Sequence, residues 1–145
     1  MAVFSGALAF LSNFHVEPYR SALTGTIVRS GEHDFNAAKT LDLVQRDLVL
    51  AAPTPAGAKR RGRRVTLRPG WDAGWRVRAM QSTLLGKFAD PGMRQRLADT
   101  GDLVLIETNT WHDNFWGDCL CGRPACAPAG VNMLGELLMA LRCRP

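Results

Sequence analysis

The chain has 145 residues, 46% of them hydrophobic, enough for one ordinary globular domain with a buried core, and no apolar run reaches membrane-spanning length. The first residues are apolar but lack a basic leader and soon meet Asn13, His15 and Glu17, so no secretory signal and no membrane partner are expected, and the protein is placed in the cytoplasm. The net charge is +5, and much of the excess lies in one arginine-rich region containing Lys59, Arg60, Arg61, Arg63, Arg64, Arg68, Arg76 and Arg78.

No internal repeat or low-complexity segment divides the chain, so residues 1–145 are read as a single domain. Residues 11–19 look extended, ending at Pro18, and 25–30 form a second short strand rich in β-branched residues. A helix is predicted from Gly31 through His33, Phe35, Ala37 and Ala38 to Leu41 or beyond. Helical spacing continues over 41–52 until Pro53 and Pro55 stop it. Residues 56–64 form a short basic helix or turn. Their arginines read either as a solvated face or as a phosphate-binding patch, for which the forked guanidinium is well suited. A helix over 72–87 offers Trp75, Met80, Leu84 and Leu85 to the core, and another over 93–100 is closed by Gly101. Residues 102–107 are a brief apolar, β-branched run expected to be a buried strand. A last helix over 134–141 turns Leu134, Leu137, Leu138 and Leu141 inward. Helices outweigh strands, so the fold class is α+β, a helix-rich domain with a small sheet.

Three stretches carry chemistry. After the 102–107 run come Trp111, His112, Asp113, Phe115, Trp116 and Gly117, where a plain turn would use small polar residues. Aromatic walls beside a fixed carboxylate suit a pocket for a planar ring, although the spacing of Trp111, Phe115 and Trp116 also fits the core face of a helix. In the segment Glu32-His33-Asp34-Phe35-Asn36-Ala37-Ala38-Lys39, a helix puts Glu32, Asn36 and Lys39 on one stripe, with His33 pointing elsewhere. An acid, an amide and an amine facing one way can hold a sugar and act on its anomeric carbon, or form an ordinary polar stripe. Finally, Cys119, Cys121 and Cys126 cluster in a spacing unlike the usual zinc ribbon, and His112 or Cys143 could complete a tetrahedral set for a structural zinc. The alternative is a loop carrying free thiols.

The pattern Phe10-Leu11-Ser12-Asn13-Phe14, Glu32-His33 with Lys39, Ala58-Lys59, Gly62-Arg63 and Trp71-Asp72 resembles the NADAR superfamily. The resemblance continues through Lys87-Phe88, Thr100-Gly101-Asp102, Glu107, Trp111-x-Asp113-x-x-Trp116-Gly117, Gly130-x-Asn132-x-Leu134-Gly135 and Leu138-Met139-x-Leu141-Arg142, so it spans nearly the whole chain. It implies a NADAR-like domain that hydrolyses an N-glycosidic bond. Family activities include splitting phosphorylated riboflavin-pathway intermediates and removing ADP-ribose from the amino group of guanine. The implied partner is a phosphorylated nucleoside or an ADP-ribosylated substrate, with ADP-ribosylated DNA or RNA as a further candidate. On this reading Glu32 is the acid/base, Lys39 the nucleophile or electrostatic stabiliser, and Asp113 the orienter of sugar or water. Trp71, Trp111 and Trp116 wall the base; Arg20, Lys59 and Arg63 hold phosphate; Asn13 and Asn36 complete the substrate contacts. No cofactor is required.

The chain departs from the family's pattern in three places. Gly31 replaces a serine, which is expected to weaken the helix cap. Asn36 replaces a glutamine, shortening a side chain near the sugar. The three cysteines stand where the family often has a short Gly-rich turn. Two other functions compete: a non-catalytic ADP-ribose or NAD-like nucleotide binder, against which the intact Glu32, Lys39 and Asp113 argue, and a small basic nucleic-acid module with steeply salt-dependent affinity.

Overall fold

The computed structural model describes residues 2–145, which form two compact units: residues 13–93, and residues 2–12 with 94–145. About the family-wide α+β expectation there is no disagreement: helices dominate, and the strands are short and paired two by two. Among the described residues no helix is long and apolar enough to cross a membrane.

In the 13–93 unit the chain enters through an antiparallel hairpin, β2 (Val16–Arg20) with β3 (Ile27–Ser30), irregular in register between Val16 and Tyr19. Pro18 lies in that irregular part of β2, where a residue without an N–H is tolerated. The chain then passes directly into α1 (Gly31–Ala37), which is shorter than the sequence predicts. The reason is a second start signal: Asp42 caps α2 (Leu43–Leu50), its carboxylate accepting from the amides of Val44 and Gln45, so the helical spacing restarts instead of continuing. Thr54 caps α3 (Pro55–Gly62) with Pro55 in the first turn, and Lys59, Arg60 and Arg61 fall in its last turn, where the helix dipole favours cations. Small side chains let these three helices pack closely around Ala37, Val49, Ala52 and Ala58.

The helix expected over 72–87 begins only at Arg76. Residues Trp71–Trp75 form a wide five-residue turn, because Gly74 takes a φ of 125° that a helix cannot use. In α4 (Arg76–Lys87) Met80 and Leu84 are buried as expected, whereas Leu85 faces solvent. The helix α5 (Pro91–Ala98) starts in this unit and ends two residues earlier than predicted, so Gly101, at φ 55°, ends the turn that follows it instead of closing the helix itself.

In the second unit β1 (Ala2–Val3) pairs in parallel with β4 (Leu105–Ile106). The expected strand over 102–107 is therefore two residues long, and Leu103 and Val104 are exposed. Its apolar look comes from only one buried position, Leu105, under α6 (Met133–Arg142). The pair β5 (Thr108–Asn109) and β6 (Asp118–Cys119) brackets the aromatic segment. In α6 Leu134, Leu138 and Leu141 are buried and Leu137 is half-buried.

Candidate active site

The polar stripe of α1 is set by how the helix begins. Ser30, not residue 31, is its N-cap: the Ser30 hydroxyl oxygen accepts the His33 amide at 3.3 Å. The weakened cap expected from Gly31 is thus not found, and Gly31 has another cause. A Cβ there would lie 2.5 Å from Asn13 Oδ1, so only glycine lets the loop before β2 approach this closely. The same Ser30 oxygen lies 2.7 Å from His33 Nδ1, and His33 Nε2 lies 2.8 Å from the Ala52 carbonyl. A carbonyl only accepts, so Nε2 carries the proton and Nδ1 accepts from the hydroxyl. His33 is a buried clamp between the start of α1 and the end of α2.

With α1 fixed, its stripe assembles as the spacing predicts. Asn36 Nδ2 donates to both the Glu32 carbonyl and Glu32 Oε2, each at 2.8 Å, which holds the carboxylate in one orientation. The Asn36 side chain is in turn pressed by α3, where Gly62 leaves no space for a Cβ. The Oδ1 atoms of Asn36 and Asn13 are both buried and have no hydrogen-bond partner. Each such acceptor costs about 1–3 kcal/mol until a donor reaches it.

Lys39 follows the C-cap Ala38, its Nζ 5.6 Å from the centre of the Phe35 ring. Burial lowers its pKa below the ordinary lysine value; Glu32 pulls it back up, and the cations Lys59 and Arg63 push it down again. Behind this group Trp71 is buried against Phe35, ring centres 5.4 Å apart. Lys59 Nζ lies 5.4 Å from the Phe14 ring centre. The structure therefore gathers Glu32, Asn36, Lys39, Lys59 and Arg63, with Trp71 supporting Phe35. The Arg20 guanidinium donates to the Gly25 carbonyl at 2.6 Å and holds the turn of its own hairpin.

The remaining expected residues belong to the other unit and form a turn, not a helix. Asp113 Oδ1 accepts the amides of Phe115 at 3.1 Å and Trp116 at 2.8 Å, shaping the turn that carries them. Phe115 and Trp116 meet edge to face, centres 4.8 Å apart; both are half-buried, so neither is a core residue, and Trp111 is exposed. The carbonyls of Phe115 and Trp116 accept the amides of Met133 and Leu134, satisfying donors that the start of α6 would leave unpaired. His112 joins Cys119, Cys121 and Cys126, while Cys143 lies exposed past the end of α6 and outside this group.

Sequence reasoning missed two residues. Asp34 is buried behind the stripe, where burial raises its pKa against the opposing hydrogen bonds of Ser21, Tyr19 and Thr83, and Tyr19 reaches it at 2.9 Å. A charge two positions from Glu32 on a helix must face the opposite way, which was the available signal. Asn109 holds the aromatic turn: its Oδ1 accepts the amides of Trp111 and Asp113, and its Nδ2 donates to the Asp113 carbonyl at 2.6 Å. Nothing in the local pattern separates it from an ordinary turn residue.

This α+β fold carries an acid and an amide on one short helix with an amine just past its end; residues 4–144 match the model of the NADAR domain, and the chain belongs to that family. N-glycosidase YbiA of Escherichia coli is 34% identical over 134 residues, 90% of this chain and 78% of that protein. YbiA of Shigella flexneri gives the same figures. A riboflavin biosynthesis protein of Vibrio vulnificus is 34% identical over 137 residues, 92% of this chain but 34% of its own length. The NMR structure of E. coli YbiA superposes with a TM-score of 0.79 at 31% identity, covering 97% of this chain and 82% of that one.

Proposed function

We propose that this N-glycosidase hydrolyses the bond between C1 of a ribose phosphate or ADP-ribose and the nitrogen of a base or amino group, with the α1 stripe as its catalytic centre. The observation that carries this is the placement of Lys39: a partly buried amine of lowered pKa, within electrostatic reach of the oriented Glu32 carboxylate and of the cations Lys59 and Arg63. A neutral amine at an anomeric carbon is a nucleophile, and a carboxyl group beside it can protonate the departing nitrogen. The substrate is an N,O-acetal: the C1–O4′ bond breaks as the ring oxygen takes a proton from solvent, and the lone pair of the base nitrogen forms an iminium at C1. Neutral Lys39 Nζ adds there, its surplus proton passes through the Glu32 carboxylate to the leaving nitrogen, the C1–N bond to the base breaks, and a protonated Schiff base remains. Water adds to that Schiff base and releases the sugar phosphate and the free amine. The net change is substrate plus one water to base plus sugar.

The binding roles follow from the same demand. Lys59 and Arg63 hold phosphate; Asn36, closed off at the crossing with α3, serves the substrate through the Glu32 carboxylate it orients, and a contact from Asn13 rests on the family's block order. The roles expected of Asp113 at the sugar or water and of Trp111 and Trp116 at the base rest on the family's block order alone, while Trp71 supports Phe35 from behind. Among substrates, the name of the Vibrio relative supports phosphoribosyl-aminopyrimidines. The arginine-rich α3 supports the phosphate-richer alternative, ADP-ribosyl guanine in nucleotide or nucleic acid.

Borohydride added during turnover tests the mechanism. A sugar-phosphate adduct is expected on the peptide containing Lys39, with Lys39→Ala giving none and Glu32→Gln losing about 100-fold or more in turnover. Full turnover without any adduct, or unchanged rates in both variants, overturns the catalytic assignment.

A further inference from the structure

The aromatic turn carries a second set of chemical groups that the proposed hydrolysis does not use. The ligand atoms of His112, Cys119, Cys121 and Cys126 all lie within 4.8 Å of one another. His112 Nδ1 is 3.4 Å from Cys121 Sγ and 3.5 Å from Cys126 Sγ. A tetrahedral zinc with Zn–N near 2.0 Å and Zn–S near 2.3 Å has nitrogen–sulfur edges of about 3.5 Å and sulfur–sulfur edges of about 3.8 Å. The two imidazole edges to Cys121 and Cys126 already have those lengths.

The backbone around the ligands is built to hold them. His112 sits at φ 70°, a conformation uncommon for a residue with a side chain, and is flanked by two amides, those of Trp111 and Asp113, that Asn109 Oδ1 accepts. Asn114 Oδ1 accepts the amide of Cys119 at 2.8 Å, and Asp118 Oδ1 accepts that of Gly130 at 2.7 Å. Between those two anchors the segment buries little: Leu120 is 62% exposed, and apart from one 3-10 turn, Pro124–Cys126, the stretch has no regular structure. A loop with so few apolar contacts needs another source of order. A disulfide would use only two of the three thiols and leave the imidazole without a role. Three sulfurs and one nitrogen, with no carboxylate among them, select a soft or borderline cation over magnesium or calcium.

We propose that His112 through Nδ1, with Cys119, Cys121 and Cys126, binds one zinc ion in a closed structural site. All four positions are filled by protein, so no site is left for a metal-bound water and the ion takes no part in hydrolysis. Its effect is to tie residues 112–126 together and so to fix the turn bearing Asp113 and Trp116. This inference stands apart from the catalytic proposal, because its readout is metal content and ligand geometry.

Elemental analysis of full-length protein purified without chelators is expected to give one zinc per chain. Cys121→Ser and Cys126→Ser should each lose most of it, and Cys143→Ser should keep it. Because a ligand variant can fail to fold, cobalt(II) exchange into the wild-type chain supplies a second readout: intense visible bands of tetrahedral cobalt with sulfur-to-cobalt charge transfer. Wild-type protein that holds no zinc and gives no such bands on cobalt titration overturns the proposal, as does a Cys121→Ser, Cys126→Ser double variant that retains a full equivalent of zinc.

Discussion

A buried lysine is useful at a sugar carbon only if it loses its proton readily, and the groups around Lys39 act on that in opposite directions. Burial and the positive charges of Lys59 and Arg63 favour the neutral amine, while Glu32 favours the ammonium ion. Activity that needs the neutral amine therefore rises with pH through a pKa below the ordinary lysine value. Removing a neighbouring cation restores part of the lost proton affinity, so the midpoint of the kcat–pH profile should move to higher pH in Lys59→Ala and in Arg63→Ala. Both residues are also proposed phosphate ligands, so KM should rise as well, but that change carries no pH signature. A profile that stays in place in both variants would show that Lys39 does not titrate in the rate-determining step. Spacing put Glu32 and Asn36 on one face of a helix, with Lys39 now just past its end, but only the family resemblance set them apart from an ordinary polar stripe. What spacing did not reveal is that Asn36 grips Glu32 directly, or that Arg20 donates to the carbonyl of Gly25.

Among the elements, the crossing of α1 and α3 decides whether that stripe keeps its geometry. Asn36 is nearly inaccessible, at 1% exposure, and its side chain occupies the space where a Cβ on Gly62 would project. Glycine-to-alanine changes in helices ordinarily stabilise by a few tenths to about 1 kcal/mol where the space is open. Gly62→Ala should do the opposite, destabilising by about 1–3 kcal/mol through overpacking. It should also lower turnover, since Asn36 must shift away from Glu32. Denaturant unfolding read beside the turnover number checks both effects, and a variant as stable and active as the wild type would refute the crossing's role. Element types were readable from spacing, caps and prolines; element ends were not. The cap at Asp42 cut one expected helix in two, Gly74 delayed the start of α4, and the strand over 102–107 shrank to the two residues that find a partner in β1. In each case a local contact or a single dihedral overrode the periodic pattern, which averages over several residues and cannot register it.

At the scale of the whole molecule, identity rests on many weak blocks in a fixed order, and it is there that sequence was most informative. Each block taken alone is an ordinary mixture of core and surface residues, yet together they run from Phe10 to Arg142, nearly all of the 4–144 stretch that matches the family model. Several turn out to be packing positions, such as the buried pair Leu138 and Leu141 on α6, which explains why no one block could define a function. The net charge of +5 bears on the substrate and not on the fold, since it favours polyanions in general. The cysteine loop was legible as a cluster with His112 as its favoured fourth member, and the folded turn does bring that imidazole to the thiols while Cys143 stays outside. The most direct test of the central claim is a substrate panel followed by mass spectrometry. Wild-type protein is incubated with ADP-ribosyl-guanosine, ADP-ribosylated DNA and phosphoribosyl-aminopyrimidines, beside the Lys39→Ala variant. The account predicts free base together with ADP-ribose or ribose phosphate from at least one substrate, and none from the variant. No cleavage of any of the three by the wild type, or equal cleavage by Lys39→Ala, would contradict it.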